Sequence, residues 1–339
     1  MSDETTPRAD GSDAVTPTYD PEGAALHLLR GTQAAARACV PWIGRGDKNA
    51  ADQAAVEAMR ETLAEVPGRG RVVIGEGEKD KAPMLYTGEE IGAGDEVTFE
   101  IAVDPLEGTN YCAQGVEGAI SVVAAAPPGA LWGVSASYYM DKLVVGPGAA
   151  EAIDLTASPE DNLESVAQAL GKKVGELIVV ILDKPRHEDL IERIRKLGCG
   201  VIAVPDGDVM GSLRVLVPHG KADVAMGIGG APEGVITACA TRLLGGNMQA
   251  RPAPQDDDER SEMEKEGVDL ERVLQLDDLV GSPDCAFIAT GVTASALLPG
   301  PEPTPWGWRV RSILVTPSHK GMLTEALVPE PAKAPDTKE

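Results

Sequence analysis

The stretch that decides the fold is VTFEIAVDPLEGT, residues 97–109. Apolar side chains at every second position from Val97 to Val103 have the period of a β-strand with one buried face. The alternation runs directly into Asp104 and Pro105, and proline cannot continue a ladder of strand hydrogen bonds. The segment therefore predicts a strand that ends at Asp104 and delivers a carboxylate to the mouth of a turn.

The turn DPLEGT (104–109) has the residue types of a site for cations and phosphate. Glu107 is close enough to Asp104 in sequence to share an ion or to hold a neighbouring one. Gly108 lets a phosphate approach the backbone, Thr109 offers a hydroxyl, and N–H groups at the start of a following helix would point at the anion. Turns of this kind also occur as plain loops, so the pattern alone is only moderately specific.

Outward from this turn, other carboxylates stand at helix starts and strand ends in segments rich in Gly and Pro. Several carboxylates brought close together repel one another unless cations lie between them. Hard oxygen ligands suit Mg²⁺ or Mn²⁺ rather than zinc or copper. For any single one of them, a solvated loop or a first-turn carboxylate is the simpler interpretation. The acidic positions of this kind are Asp52, Glu76, Asp104, Glu107 and Glu233.

The first half of the chain predicts one helix followed by short strands. Apolar residues recur at helical spacing from Asn49 to Val66, with Asn49 as the expected N-cap, and Asp52 lies on the apolar face. A β-branched run at 72–74 stops at GEGE (75–78). We predict further strands at 119–126, 130–137 and 142–145.

After residue 150, helices and short apolar strands alternate, which favours a largely parallel sheet covered by helices and an α/β (α+β) chain. The turn GIGGA (227–231) precedes a helix with Pro232 at its start and Gly245 as its stop. A charged, partly helical segment follows at 252–280. The predicted elements are strands at 178–182, 201–204, 222–226, 285–289 and 311–315, and helices at 187–197 and 209–216.

The composition excludes several classes of function. A formal charge of −24 over 339 residues argues against nucleic-acid binding, which depends on clustered Lys and Arg. An anionic substrate would therefore need metal ions or a local basic patch. The five cysteines show no Cys-x-x-Cys pair, which suggests buried thiols in a reducing compartment. No apolar run reaches the roughly 20 residues of a membrane span, and we expect a cytoplasmic protein.

Four segments follow from these patterns. We expect disordered tails at residues 1–20 and 325–339, which are rich in Pro and charge and poor in apolar side chains. Residues 21–150 would form an α+β half that binds metal. Residues 151–324 would form an α/β half that carries the loops for substrate.

At this point the chain resembles the class II fructose-1,6-bisphosphatases, in six motifs that occur in the right order between about residue 25 and about residue 320. The more distant resemblance is to the lithium-sensitive, inositol-monophosphatase-like superfamily, which implies a layered α-β-α-β-α sandwich. The motifs are WIGRGDKN (42–49), VIGEGEKDKAPML (73–85), VDPLEGT (103–109), KPRH (184–187), PDGD (205–208) and GIGGAPEG (227–234).

The resemblance implies a role for each matching position. The implied metal ligands are Asp52, Glu76, Asp104, Glu107 and Glu233, with the Leu106 carbonyl as a further one. The implied catalytic residues are Lys48, Asp80 and Thr109, with Glu76 beside Thr109 to orient and deprotonate water. The implied substrate contacts are Glu107, Gly108, Thr109, Tyr139, Lys184, Pro185, Arg186, Asp206, Gly207, Asp208 and Gly230.

Lys184 and Arg186 are the candidates for a second phosphate, and without the resemblance we would regard them as a solvated loop. The residues Asp206 to Asp208 would likewise be an ordinary turn.

The implied activity is Mn²⁺- or Mg²⁺-dependent hydrolysis of the 1-phosphate of fructose 1,6-bisphosphate, a gluconeogenic step, by a homodimer or homotetramer. Sedoheptulose 1,7-bisphosphate is an alternative or second substrate, since it presents the same reacting end. A non-catalytic, metal-dependent phosphate sensor is an alternative of another class. An inositol or nucleotide monophosphatase is disfavoured by Lys184 and Arg186, which a monophosphate would not require.

Overall fold

The structure, a computed structural model, describes residues 19–75, 85–133, 139–295, 297–320 and 322–328. Its helices are α1 (Pro21–Ala38), α2 (Lys48–Leu63), α3 (Thr109–Gln114), α4 (Pro159–Leu170), α5 (Glu188–Lys196), α6 (Asp208–Leu216), α7 (Ala231–Leu244), α8 (Asp257–Lys265) and α9 (Leu276–Leu279). Its strands are β1 (Pro67–Ile74), β2 (Glu90–Glu107), β3 (Ile120–Ala126), β4 (Tyr139–Val145), β5 (Ile178–Leu182), β6 (Gly200–Val204), β7 (Val224–Gly230), β8 (Asn247–Pro252), β9 (Ala286–Gly291), β10 (Glu302–Thr304), β11 (Gly307–Val315) and β12 (Met322–Val328).

The first sheet has seven strands within the described residues, in the order β1-β2-β3-β9-β11-β10, with β12 paired to β11. Helices α1 and α2 cover one of its faces and α7 covers the other. Residues Phe99 to Val103 are therefore buried on both faces, whereas the alternation predicted one solvated face. Ile101 and Val103 pack with α1 and α2, and Ala102 packs with α7.

In the described part of the chain, the second sheet has five strands in the order β6-β5-β7-β4-β8. Strands β5, β6 and β7 are parallel, but β4 is antiparallel to both β7 and β8. The prediction of a largely parallel sheet is thus correct for the four strands after residue 150, because β8, which is antiparallel to β4, runs in the same direction as β5 to β7. The sheet is mixed because β4 comes from an earlier part of the chain and enters without a helical crossover, whereas β8 follows β7 through α7.

The layers stack as helices, sheet, helices, sheet, helices. Helix α7 contacts strands of both sheets, and α6 lies beside it against the second sheet. The apolar residues Val122, Val144 and Val235 belong to one buried cluster, so this middle layer is continuous core. Helices α4 and α5 cover the outer face of the second sheet. The expected α-β-α-β-α sandwich is confirmed.

The predicted division at residue 150 does not match the strand pairing. Strand β4 belongs to the second sheet, and β9 to β12 return to complete the first. The sheets are built from strands distant in sequence, so a single cut in the chain cannot separate them. The tail boundaries also shift. Asp20 caps α1, and residues 325–328 pair with β11, where Glu325 forms ion pairs with Arg309 and Arg311.

Three local predictions are corrected by backbone hydrogen bonding. Helix α2 begins at Lys48, and its N-cap is Asp47, which accepts from the Ala50 amide at 3.0 Å, not Asn49. Strand β2 does not end at Asp104 but continues to Glu107 through a bulge. The glycines from Gly227 to Gly230 lie in β7, paired to β4, and do not form a turn.

The predicted strand at 130–137 is an isolated bridge between Leu131 and Val280, and residues 134–138 lie outside the described residues. Both predicted tails extend beyond the described part of the chain. None of the helices in that part has the length and apolar character needed to cross a bilayer.

Candidate active site

A cavity of about 980 Å³ lies where the ends of strands from both sheets meet. Strands β1, β2, β5, β6 and β7 all deliver residues from their carboxyl ends, the usual location of ligand sites in open α/β sheets. The start of α2 and the first turn of α7 complete the wall. Its lining includes Lys48, Asp52, Asp104, Leu106, Glu107, Gly108, Thr109, Tyr139, Lys184, Arg186, Asp206, Gly207, Asp208, Gly230 and Glu233.

Three predicted site residues are not among those that line the cavity. Glu76 and Asp80 lie outside the described residues, although Gly75, which precedes Glu76, lines the cavity. Pro185 is described and lies next to the cavity wall without lining it. It begins a single 3₁₀ turn, Pro185–His187, which follows Lys184 and contains Arg186.

We call Asp104, Glu107 and Glu233 the acidic floor of the cavity. Glu107 is 3% exposed, and its Oε1 accepts from the Val209 amide at 3.0 Å. Burial raises the pKa of Glu107, and the carboxylate of Glu233 raises that pKa further. Burial also raises the pKa of Glu233, against the opposing charge of Lys142. Ionisation of either carboxyl, Glu107 or Glu233, therefore costs free energy at its buried position.

The remaining carboxylates are less buried. Asp104 is half-buried, and its Oδ1 accepts from the Leu106 amide at 3.0 Å, which fixes the bulge at the end of β2. Asp52 projects from the first turns of α2 and is also half-buried. Burial raises the pKa of Asp52. Its position on the apolar face of the helix, noted in the sequence, is what turns it toward the cavity.

The fit of a divalent cation can be tested on the buried oxygens. Among the described residues, which exclude Glu76, no group of three or more His, Cys, Asp or Glu side chains is close enough to hold a metal ion. However, Glu107 Oε2 and Glu233 Oε2 are buried with no hydrogen-bond partner in the described chain. Unpaired carboxylate oxygens of this kind require a counter-charge. The acidic floor therefore fits a hard cation, but the described side chains supply only part of the ligands that such a cation needs.

Two turns, one from each sheet, are joined at the cavity. The turn after β2 and the turn after β6 each place a glycine in the left-handed region before a helix, Gly108 at φ 82° and Gly207 at φ 82°. The Asp206 amide donates to the Tyr111 hydroxyl at 3.1 Å, and Asn110 Nδ2 donates to Asp206 at 3.2 Å. These hydrogen bonds connect the segment after β2, beside the acidic floor, to the turn after β6 in the second sheet.

Lys184 and Arg186 form what we call the cationic rim. The Arg186 guanidinium lies 5.1 Å from the centre of the Tyr139 ring, which is a cation–π contact. Arg186 Nε and Nη2 donate to the Ile228 carbonyl at 3.1 and 2.9 Å. Arg186 is exposed, and Lys184 is partly so. The Arg186 guanidinium is thus a surface charge whose orientation is fixed by the Tyr139 ring and the Ile228 carbonyl.

His187 has a structural role at the start of a helix. It is 2% exposed and precedes α5. Its Nε2 accepts from the Ile228 amide at 2.8 Å, so Nδ1 carries the proton and donates to the Leu182 carbonyl at 2.7 Å. Burial lowers the pKa of His187, which agrees with a neutral ring.

Sequence reasoning missed Lys142, in the centre of β4. Its side chain is 4% exposed, and its ammonium forms an ion pair with Asp208. The available signal was a lysine within the apolar run MDKLVV (140–145). Lysine is almost never buried without a partner, so its presence in a buried strand indicates a nearby carboxylate.

The chain is similar to known proteins of one family. Residues 22–324 match the family model described as bacterial fructose-1,6-bisphosphatase, glpX-encoded. The chain is 45% identical over 289 residues to the class 2 fructose-1,6-bisphosphatase of Haemophilus influenzae and to fructose-1,6-bisphosphatase 1 class 2 of Escherichia coli K12. Each alignment covers 81% of this chain and 86% of the relative. The chain belongs to the bacterial fructose-1,6-bisphosphatase family encoded by glpX, a family of metal-dependent phosphatases.

Proposed function

We propose that this chain hydrolyses the 1-phosphate of fructose 1,6-bisphosphate to fructose 6-phosphate and phosphate, with Mn²⁺ or Mg²⁺ as cofactor. One observation carries the proposal. Within the described part of the chain, a single cavity is lined both by carboxylates with buried, unpaired oxygens and by a partly exposed lysine and an exposed arginine. The first group needs cations and the second attracts anions, which suits a substrate that bears a phosphate at each end.

The metal-ligating residues of this proposal are Asp52, Asp104, Glu107 and Glu233, together with Glu76 and the Leu106 carbonyl. When bound, the cations would polarise the phosphate and lower the pKa of the attacking water. Thr109 lines the cavity beside Glu107, where its hydroxyl can orient water. Lys48, Asp80 and Glu76 are proposed to assist Thr109 in positioning the water and removing its proton.

The proposed substrate contacts divide into two groups. Lys184 and Arg186 would bind the phosphate that is not hydrolysed. The hydrogen bonds of Arg186 to the Ile228 carbonyl use two of the five N–H groups of a guanidinium, so its remaining donors are available for phosphate oxygens. The proposed sugar and phosphate contacts are Glu107, Gly108, Thr109, Tyr139, Pro185, Asp206, Gly207, Asp208 and Gly230.

Sedoheptulose 1,7-bisphosphate is a second candidate substrate, because a cavity of about 980 Å³ has room for one more carbon. The test is phosphate release from both bisphosphates and from inositol monophosphate, with Mn²⁺, with Mg²⁺ and after chelation. We expect release from one or both bisphosphates that stops on chelation and resumes when metal is restored. Turnover that survives chelation would contradict the mechanism. Ligand-induced thermal stabilisation without turnover would instead support the phosphate sensor.

We also propose a cytoplasmic homodimer or homotetramer. The support for self-association is two exposed apolar side chains near the C-terminal hairpin, Trp306 at 77% and Leu327 at 53% exposure. The support for the location is that the five cysteines are free and buried. Sedimentation equilibrium of the wild type and of Trp306→Ser would test the first proposal, since a smaller species is expected for the variant.

A further inference from the structure

Lys142 is a buried cation held by two elements that line the cavity. It lies in the centre of β4, and its side chain is 4% exposed. Its ammonium pairs with the carboxylate of Asp208, the first residue of α6. It also donates to the Gly230 carbonyl at 3.3 Å, where β7 passes into α7. One side chain therefore ties together two backbone segments that both face the cavity.

The glycines of GIGGAPEG (227–234) leave the space that this lysine occupies. A Cβ on Gly229 would lie 2.7 Å from Lys142 Nζ and would collide with the Asp208 carboxylate. A Cβ on Gly234 would lie 3.3 Å from Lys142 Cδ, beside the Met140 sulfur. Gly229 has an ordinary negative φ, so backbone conformation does not require glycine there. Glycine is required there because any side chain would occupy the space of the Lys142–Asp208 ion pair.

Stability alone does not explain a buried lysine. Taking an ammonium and a carboxylate out of water costs more than packing two apolar side chains of similar volume, so a purely structural role would be served by apolar residues. The ammonium of Lys142 is instead bonded to two residues that line the cavity, Asp208 and Gly230. A fixed cation at this position therefore acts on the cavity wall.

We propose that Lys142 is a positioning residue, which holds the Asp208 carboxylate and the Gly230 backbone in the arrangement that binds the sugar phosphate. This inference rests on the proposed function, because Asp208 and Gly230 are substrate contacts only if the cavity takes a sugar bisphosphate. Lys142 itself would touch no substrate. Its loss should therefore impair binding more than the chemical step.

The test compares Lys142→Met with Lys172→Met. Lys172 forms a more exposed lysine–aspartate pair with Asp223, and neither residue lines the cavity. For Lys142→Met, we expect KM for fructose 1,6-bisphosphate to rise at least about tenfold, with a smaller fall in kcat. For Lys172→Met, we expect the wild-type KM. In a cycle with Asp208→Asn, the effects on KM should be less than additive, since both substitutions break one pair.

Gly229→Ala is the second variant, because its methyl group would displace the same ion pair without removing a charge. It should raise KM in the manner of Lys142→Met, and circular dichroism and Tm would show that both variants are folded. Calorimetric titration with fructose 6-phosphate gives a binding readout that needs no turnover, so it separates this inference from the proposed function. A wild-type KM and product affinity in folded Lys142→Met, or failure of the wild type to bind the product, would overturn the inference. Should Lys142→Met not fold, a wild-type KM in Gly229→Ala would do so.

Discussion

The acidic floor and the cationic rim of the same cavity are built in opposite ways. Glu107, at the end of β2, and Glu233, in the first turn of α7, each have one buried oxygen without a hydrogen-bond partner among the described residues. The rim residue Arg186 is exposed and is aimed by the Tyr139 ring and the Ile228 carbonyl. The floor is thus a costly arrangement of carboxylates that a bound cation would balance, whereas the rim is an ordinary surface charge with a preferred direction.

This difference predicts separate functions for the acidic floor and the cationic rim. Changes in the floor should remove catalysis and alter stability with and without metal. Changes in the rim should alter the affinity for the bisphosphate and leave the chemical step intact. The predictions below test this division, beginning with the largest effect.

Asp104→Asn should lower kcat by about a thousandfold or more, since it removes a ligand charge from the place where metal-assisted chemistry would occur. The fold should be retained, because asparagine can still accept from the Leu106 amide. Steady-state phosphate release and circular dichroism measure the two outcomes. A wild-type kcat in this variant would show that Asp104 is not one of the metal ligands.

Arg186→Ala should raise KM for fructose 1,6-bisphosphate about tenfold and change kcat by less than about threefold. The expected loss is the charge-assisted contact with the phosphate that is not hydrolysed. Arg193→Ala is the control, because Arg193 pairs with Glu160 and does not line the cavity. An unchanged KM would place the second phosphate elsewhere.

Glu107→Gln should raise the Tm of the metal-free protein by about 2 °C while it abolishes stabilisation by Mn²⁺. The neutral amide avoids the cost of a buried charge, and its oxygen can still accept from Val209. Thermal unfolding with Mn²⁺ and with chelator gives both values. A lower Tm in the metal-free variant would show that the carboxylate is already compensated without a cation.

The stabilisation by Mn²⁺ should grow with pH. The pKa values of Glu107 and Glu233 are raised in the folded state, so the folded metal-free chain binds more protons than the unfolded chain. The contribution of these groups to stability is therefore full below the ordinary glutamate pKa and is lost as pH rises through the folded values. A bound cation replaces the protons, so the gain in Tm should be larger at about pH 8 than at about pH 5.5. An equal gain at both values would mean that neither glutamate binds the ion.

Most of the predicted site residues line one cavity, and the sequence could indicate this because they follow strands and begin helices. The two glutamates of the floor illustrate this point: Glu107 could be placed from the turn after β2, and Glu233 from the helix that starts at Pro232. The bulge that carries β2 through Asp104 to Glu107 could not be foreseen, because it depends on pairing with β3.

What the sequence could not show depends on contacts between distant segments. Strands β4 and β9 to β12 join sheets that their place in the chain does not indicate. The stacking of Arg186 on Tyr139 and the pairing of Lys142 with Asp208 both join segments more than 40 residues apart. Glycines in β7 were mistaken for a turn, because the side chains that need their space come from β4, α6 and the turn before α5.

The most direct test of the account is anomalous diffraction from crystals grown with Mn²⁺ and fructose 6-phosphate. We predict manganese peaks within coordination distance of Glu107 Oε2 and Glu233 Oε2, with the sugar phosphate against Arg186 or Asp208. Manganese bound only at other carboxylates, with these two oxygens left unliganded, would contradict the claim that the buried floor is a metal site.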